Sequence, residues 1–271
     1  KSDNDMSDIK GIILAAGEGK RLKHLTKNCP KSMVRLFGKS LLEYQIETFR
    51  KCGINDITVI KGHKGEMINF SGIKYYVNKN YKSTNMVETL FCALHELNGS
   101  TIISYGDIIF EKKVLDKLIL SKSEISIVVD QNWKEYWSIR MSNIKEDVES
   151  LKLNSEGSII DIGQKVKDIE EIRGQYIGLM KFEQDGIQNL KEFYFLCKEK
   201  SRHGKNPLNQ KIPFKKSYMT DLLQGLIHAG YKLTSIPING GWLELDTIDD
   251  YDLYNNLKKE NNIQKLISLE K

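Results

Sequence analysis

The sequence predicts an α/β protein with a doubly wound, mostly parallel but mixed sheet and a small antiparallel extension. Apolar runs alternate with helix-patterned stretches through the first half of the chain. Small or turn residues close each run, and after about residue 138 the pattern changes to short alternating segments. Strand–helix–strand alternation implies right-handed crossovers and a sheet covered on both faces. Ligands of such sheets sit beyond the carboxyl ends of the strands.

Residues 9–16 (IKGIILAA) form a buried strand that runs into a glycine loop. Residues 41–52 read as a helix, with Leu41, Leu42, Ile46 and Phe49 on one face and Gly53 as the stop. Strands follow at 57–60, 101–105 and 125–129, with helices at 86–97 and 114–120, the first capped from Ser83-Thr84-Asn85. The segments 138–141 (SIRM), 148–153 (VESLKL), 158–164 (SIIDIGQ) and 176–182 (YIGLMKF) read as the antiparallel or mixed extension. A charged helix at 186–201, a polar loop at 203–216, a helix at 220–229, a strand at 233–237 and an amphipathic helix over 248–269 complete the chain. No repeat or low-complexity linker appears. The expected organisation is a disordered leader at 1–8, one domain over 9–256, and a helical tail of that domain at 257–271.

Composition narrows function. The 271 residues are 40% hydrophobic and 28% charged, as in ordinary globular chains, and the net charge of +5 is too small to announce a nucleic-acid partner. No apolar run is long enough for a membrane span, and the polar start (KSDNDMSD) lacks the apolar core of a secretory signal, so a cytoplasmic location is expected. The four cysteines form no CxxC pair and the five histidines no HxxxH pair, so a metal would be held by carboxylates.

The most informative stretch is Leu14-Ala15-Ala16-Gly17-Glu18-Gly19-Lys20-Arg21-Leu22, followed by Pro30-Lys31-Ser32-Met33. Glycines directly after a buried strand let the backbone wrap a phosphate and offer it N–H groups. A dinucleotide fingerprint would need glycine at position 22, where this chain has Leu22, and the spacing of a Walker loop is also absent. Lys20, Arg21, Lys23, Lys27 and Lys31 crowd this loop with cations suited to a triphosphate. A turn with a solvated basic face is the competing reading.

LAAGEGKRL with PKSM resembles the signature of the nucleotidyltransferases that activate sugar 1-phosphates and phosphocholine. The likeness continues in order through Gly38-Lys39-Ser40-Leu41-Leu42, Gly53-Ile54, Tyr105-Gly106-Asp107, Tyr176-Ile177-Gly178 and Trp242-Leu243-Glu244-Leu245-Asp246-Thr247, spanning roughly residues 9–256. The resemblance implies a Rossmann-like nucleotidyltransferase fold. It implies attack of an acceptor oxygen on the α-phosphorus of a nucleoside triphosphate, chemistry that needs in-line positioning and cations on the developing charge.

It also implies Mg²⁺ on Asp107 and Asp246, with Lys31 and Arg21 neutralising the triphosphate. Leu14, Ala15, Ala16, Gly17, Gly19, Lys20 and Gly106 would surround the nucleotide, and Tyr81, Thr84 and Asn85 are candidates to read its base, against capping roles for Thr84 and Asn85. Glu244 is a second candidate beside Asp246. Lys165 stands where relatives hold the acceptor phosphate, with Gln164 as the alternative alignment. Tyr176 and Arg140 join the acceptor side. Trp133, Tyr136 and Trp137 share a helical face and could box an ammonium group, although such stripes also build cores.

A similar aromatic stretch and Thr-Asn pair occur in the phosphocholine and aminoethylphosphonate cytidylyltransferase branch. The expected substrates are therefore CTP and a small phosphorylated or phosphonate acceptor: phosphocholine, 2-aminoethylphosphonate or a phosphoryl amide such as phosphoglutamine. A sugar 1-phosphate with CTP or UTP, a silent nucleotide-binding regulator, and a glycosyltransferase of related fold are the alternatives, the last needing a second carboxylate that YGDII lacks. No nucleic-acid or membrane partner is expected, and a homodimer is allowed for. Abundant isoleucine, lysine and asparagine fit an AT-rich bacterial source, and the resemblance implies a role in decorating surface polysaccharide or lipid.

Overall fold

The computed structural model describes residues 8–140 and 148–269. Its first part runs β1 (Lys10–Ala15), the hairpin strands β2 (Arg35–Leu36) and β3 (Lys39–Ser40), α1 (Leu41–Lys51), β4 (Asp56–Lys61), β5 (Lys74–Val77) and α2 (Met86–Phe91). It continues through β6 (Thr101–Tyr105), β7 (Ile108–Phe110), α3 (Lys112–Leu120), β8 (Ile125–Asp130) and α4 (Trp133–Arg140). The later part holds β9 (Glu149–Leu153), β10 (Ile159–Lys165), β11 (Gln175–Phe182), α5 (Gln184–Arg202), α6 (Met219–His228), β12 (Thr234–Ile238), β13 (Trp242–Glu244) and α7 (Ile248–Lys259).

Seven strands form the main sheet in the order β12-β8-β11-β6-β1-β4-β5. Every neighbouring pair is parallel except the two made by β11, which lies antiparallel between β6 and β8. Because side chains alternate along a strand, β1 feeds two cores: Ile13 packs on one side, Ile12 and Leu14 on the other. The first core is covered by α1, α3 and α7 through Leu42, Ile46, Val114, Leu118 and Tyr254; the second by α2, α5 and α6 through Leu90, Ile187, Leu190 and Leu222. This is the doubly wound, mixed sheet expected. The pair β9-β10 forms the small antiparallel extension.

Several boundaries differ from expectation. Residues 176–182 belong to the main sheet as β11, since Ile177 to Phe182 are buried on both faces rather than alternately exposed. Of residues 138–141, Ser138–Arg140 complete α4 instead of starting a strand, and Met141 lies outside the described residues. The helix expected over 86–97 stops at Phe91, and a 3₁₀ turn at Leu94–Glu96 follows the non-helical backbone of Ala93. The helix expected over 248–269 ends at Lys259, because Asn261 takes the left-handed conformation (φ 57°) that terminates helices. The expected leader at 1–8, save Asp8, and the last two residues of the tail lie outside the described residues. Among the described residues no helix is long and apolar enough to cross a membrane.

One close approach places the site. A Cβ on Gly106 would lie 2.5 Å from the Leu14 carbonyl oxygen, so only glycine lets the end of β6 lie against the end of β1. Gly106→Ala is expected to destabilise the fold by ~1–3 kcal/mol through backbone overpacking. A denaturant midpoint unchanged from wild type would refute this.

Candidate active site

Each predicted residue can be followed to its place at the carboxyl edge of the sheet. β1 delivers Leu14, Ala15 and Ala16, all buried, into the loop carrying Gly17 and Gly19. Gly19 is left-handed (φ 64°), and a Cβ there would meet Cβ of Lys31 at 2.9 Å, so this glycine lets the loop fold onto the lysine. The Thr26 hydroxyl donates to the Gly19 carbonyl at 2.7 Å, and buried Leu22 anchors the loop in the core. Lys31 opens a 3₁₀ turn, Lys31–Met33, immediately after Pro30.

The carboxylates converge through a two-stranded pairing that no local pattern announces. β13 pairs antiparallel with β7, and the Leu245 N–H donates to the Asp107 carbonyl at 2.9 Å. Asp107 and Asp246 thereby meet across 246 − 107 = 139 positions of sequence. One oxygen from each of Asp107, Glu244 and Asp246 lies within 4.8 Å of the others. Lys31 Nζ bridges them, at 2.6 Å from Asp246 Oδ1 and 3.0 Å from Asp107 Oδ2, while Arg21 reaches the other Asp246 oxygen at 2.8 Å.

Charge follows this geometry. Burial opposes the Lys31 ammonium, but Asp107 and Asp246 outweigh it and raise the pKa well above the ordinary lysine value. Burial likewise opposes the Asp246 carboxylate, yet Lys31 and then Arg21 hold its pKa below the usual range. Glu244 is pushed up by burial, a rise that Arg140 counters and that Asp107 and Asp246 reinforce. The second oxygen of Asp107 is buried and has no hydrogen-bond partner among the described residues. An oxygen left open in a three-carboxylate cluster suits a hard divalent cation.

A cavity of about 520 Å³ opens beside this cluster. Its lining includes Arg21, Lys31, Asn85, Asp107, Trp133, Trp137, Arg140, Tyr176, Glu244 and Asp246 from the predicted set. Leu14, Ala15, Ala16, Gly17, Gly19, Lys20, Tyr81, Thr84, Gly106 and Lys165 lie off its wall. Tyr81 instead meets His63 edge-on at 5.8 Å, near Ala16. The Thr84 hydroxyl bonds Asn80 and Asn78, and Asn85 caps α2 by accepting from Met86 N. Lys20 is exposed beside Glu18, and Lys165 pairs in register with Glu149 at the end of β10.

On the acceptor side, Trp133 and Trp137 are 3% and 8% exposed and pack with Ile172 in a small cluster of their own. Trp137 donates its indole N–H to Gln175, and the Arg140 guanidinium lies 5.2 Å from its ring centre. Arg140 forks onto Asp250 at 2.9 and 2.7 Å and reaches Glu244 at 3.0 Å. Asp250 in turn accepts from the backbone N–H of Asp246 and Thr247 at the start of α7. Two residues escaped the reading of the sequence. Asp250 was legible as the acidic third residue of a Thr247 capping box. Glu149, a single carboxylate in an alternating strand, carries no signal; burial, then Glu244 and Asp221, push its pKa up to about 7.

The sheet, the glycine loop and the lysine-bridged carboxylates are those of a nucleotidyltransferase, and residues 11–161 match the model of the MobA-like NTP transferase domain. The chain belongs to this family. It is 38% identical to the CTP:phosphoglutamine cytidylyltransferase of Campylobacter jejuni over 256 residues, covering 90% of this chain and 98% of that one. It is also 38% identical over 117 residues to the choline-phosphate cytidylyltransferase of Streptococcus pneumoniae, covering 42% of this chain and 51% of that enzyme. The solved CTP:phosphocholine cytidylyltransferase of S. pneumoniae shares the fold with a TM-score of 0.69 at 20% identity, over 94% of this chain and 99% of that one. The inositol-1-phosphate CTP transferase of T. maritima has the same TM-score at 17% identity, over 98% of this chain and 99% of that one.

Proposed function

We propose that this protein is a cytidylyltransferase that moves CMP from CTP to a small phosphorylated acceptor of the phosphoglutamine type and releases pyrophosphate. The observation that carries this reading is the Lys31 ammonium held between Asp107 and Asp246 at the end of the glycine loop. The near full-length likeness to a CTP:phosphoglutamine cytidylyltransferase supports the choice of nucleotide and acceptor.

In the reaction an oxygen of the acceptor phosphate forms a bond to the α-phosphorus while the α-phosphorus–bridging-oxygen bond breaks and pyrophosphate leaves with that electron pair. The loop after β1 presents backbone N–H groups to the phosphates. Lys31 and Arg21 place positive charge where the leaving group gathers negative charge. Asp107 and Asp246, with Glu244 beside them, would hold magnesium, which supplies charge neutralisation to the phosphates. Asn85 faces the same cavity and is available to the base or ribose. Arg140, tied to Asp250 and Glu244, keeps the carboxylate loop in place.

The test is pyrophosphate release across four nucleoside triphosphates and a panel of phosphoryl amide, phosphonate, choline-type and sugar phosphates. CTP with the phosphoryl amide is expected to give the highest kcat/KM, and chelation of divalent cations to stop turnover. Asp107→Asn and Asp246→Asn are each expected to lower kcat by ~10²-fold or more. Undiminished turnover in the double variant would remove the carboxylates from the mechanism.

A further inference from the structure

Among the described residues three cations line the cavity, and each is committed. Lys31 and Arg21 are paired with Asp107 and Asp246, and Arg140 with Asp250 and Glu244. Glu149, at the start of β9, is on the same wall, and its carboxylate has neither a hydrogen bond nor an ion pair among the described residues. Solvent reaches its side chain through the cavity, although protein surrounds it. Glu244 and Asp221 both oppose its ionisation. The buried Tyr176 hydroxyl, also on this wall, stands beside the Tyr105 ring.

An open carboxylate among other carboxylates, in a cavity that already spends its own cations, is a seat for a cation brought by the ligand. The aromatic neighbours narrow the kind of cation. Arg140 already occupies a face of Trp137, and Trp133 and Trp137 are almost wholly packed, so little open aromatic surface remains to cage a quaternary ammonium. An open carboxylate instead suits a group with N–H donors.

We infer that Glu149 receives a primary ammonium group of the acceptor, so that the acceptor carries an N–H-bearing cation as well as its phosphate, and a quaternary, choline-type acceptor is disfavoured. This rests on the cytidylyl-transfer reading for the identity of the reaction but not for the seat itself.

The experiment compares wild type with Glu149→Gln, which keeps shape and removes charge, and with Glu149→Asp as the conservative variant. The probes are phosphoglutamine, its Nα-acetyl derivative, phosphoethanolamine and phosphocholine. Wild type is expected to favour each free amine over its acetylated or quaternary counterpart. Glu149→Gln is expected to raise KM for the amine acceptors ~10–100-fold, to erase that preference and to leave KM for CTP unchanged, with Glu149→Asp in between. Equal KM values in wild type and Glu149→Gln, or equal effects on acceptor and CTP, would overturn the inference. Calorimetric binding of the same four compounds separates the two claims. Amine-selective binding lost in Glu149→Gln, with no turnover of any acceptor by wild type, would support the seat and refute the cytidylyltransferase reading; binding blind to the amine would refute the seat. Thermal melts confirm that each variant is folded.

Discussion

Replacing Lys31 by alanine is expected to lower kcat/KM for nucleotidyl transfer by ~10²–10³-fold, because it removes a preorganised cation from developing phosphate charge. The same change alters the pH dependence of stability. In the intact site the folded Asp246 pKa lies below its unfolded value, chiefly because Lys31 overcomes burial. Its stabilising contribution is therefore present above an unfolded pKa of ~3.9 and is lost as pH falls through the folded value. Without Lys31, burial still opposes the charge and only Arg21 and Arg140 remain to offset it, so the folded pKa rises relative to wild type. The stability that ionised Asp246 contributes above its unfolded pKa is then smaller, and the deficit relative to wild type grows as pH rises through that range. Lys31→Ala should thus melt closest to wild type at about pH 4–5 and diverge toward about pH 8. Urea midpoints across that range check the sign, and a constant difference would show that the carboxylates do not sense the lysine.

The second large effect is expected at Arg140. Its side chain is 1% exposed and faces Asp250, itself 3% exposed, so removing Arg140 leaves the Asp250 carboxylate buried without its counter-charge. Arg140→Met should cost ~3–5 kcal/mol of stability, a fall in Tm of roughly 10 °C for a chain of this size. Activity should fall further than stability explains, because Glu244 loses its partner and the Asp246 backbone loses the fixed orientation of Asp250. The double variant Arg140→Met, Asp250→Asn separates these contributions. An amide at 250 still accepts from the helix start without a buried charge, so Tm should partly recover while kcat does not. A single variant that melts and turns over like wild type would make the buried pair incidental.

Legibility in the sequence followed contiguity. The glycine loop and the cations around it, Lys31 among them, were readable because they sit directly after a buried strand in a short string whose composition is itself the chemistry. Asp107 and Asp246 were assigned only through resemblance, since the pairing of β7 with β13 that joins them involves three residues on each strand and has no periodicity of its own. The helical spacing of Trp133 and Trp137 was correct, but spacing reports a shared face and not what that face meets. In the structure it meets Ile172, Gln175 and Arg140 as well as the cavity. Glu149 was invisible because its importance lies in what does not touch it. The place of β11 in the main sheet was equally hidden, because nothing within Gln175–Phe182 names the strands it will pair with.

That reversed strand governs how the chain can fold. β6 and β8 are separated by the width of one strand, and the segment that fills the gap begins only at Gln175. As the chain emerges during synthesis, the glycine loop, Lys31 and Asp107 are complete long before their sheet is. Until β11 arrives, Ile103 and Ile127 flank open hydrogen-bonding edges, and closing them requires a long loop to be ordered first. The high contact order of that step places it late and makes it slow. A nascent chain carrying most of the phosphate-binding loop is thus not yet a folding unit, and cooperativity between the two ends of the sequence is imposed by one strand.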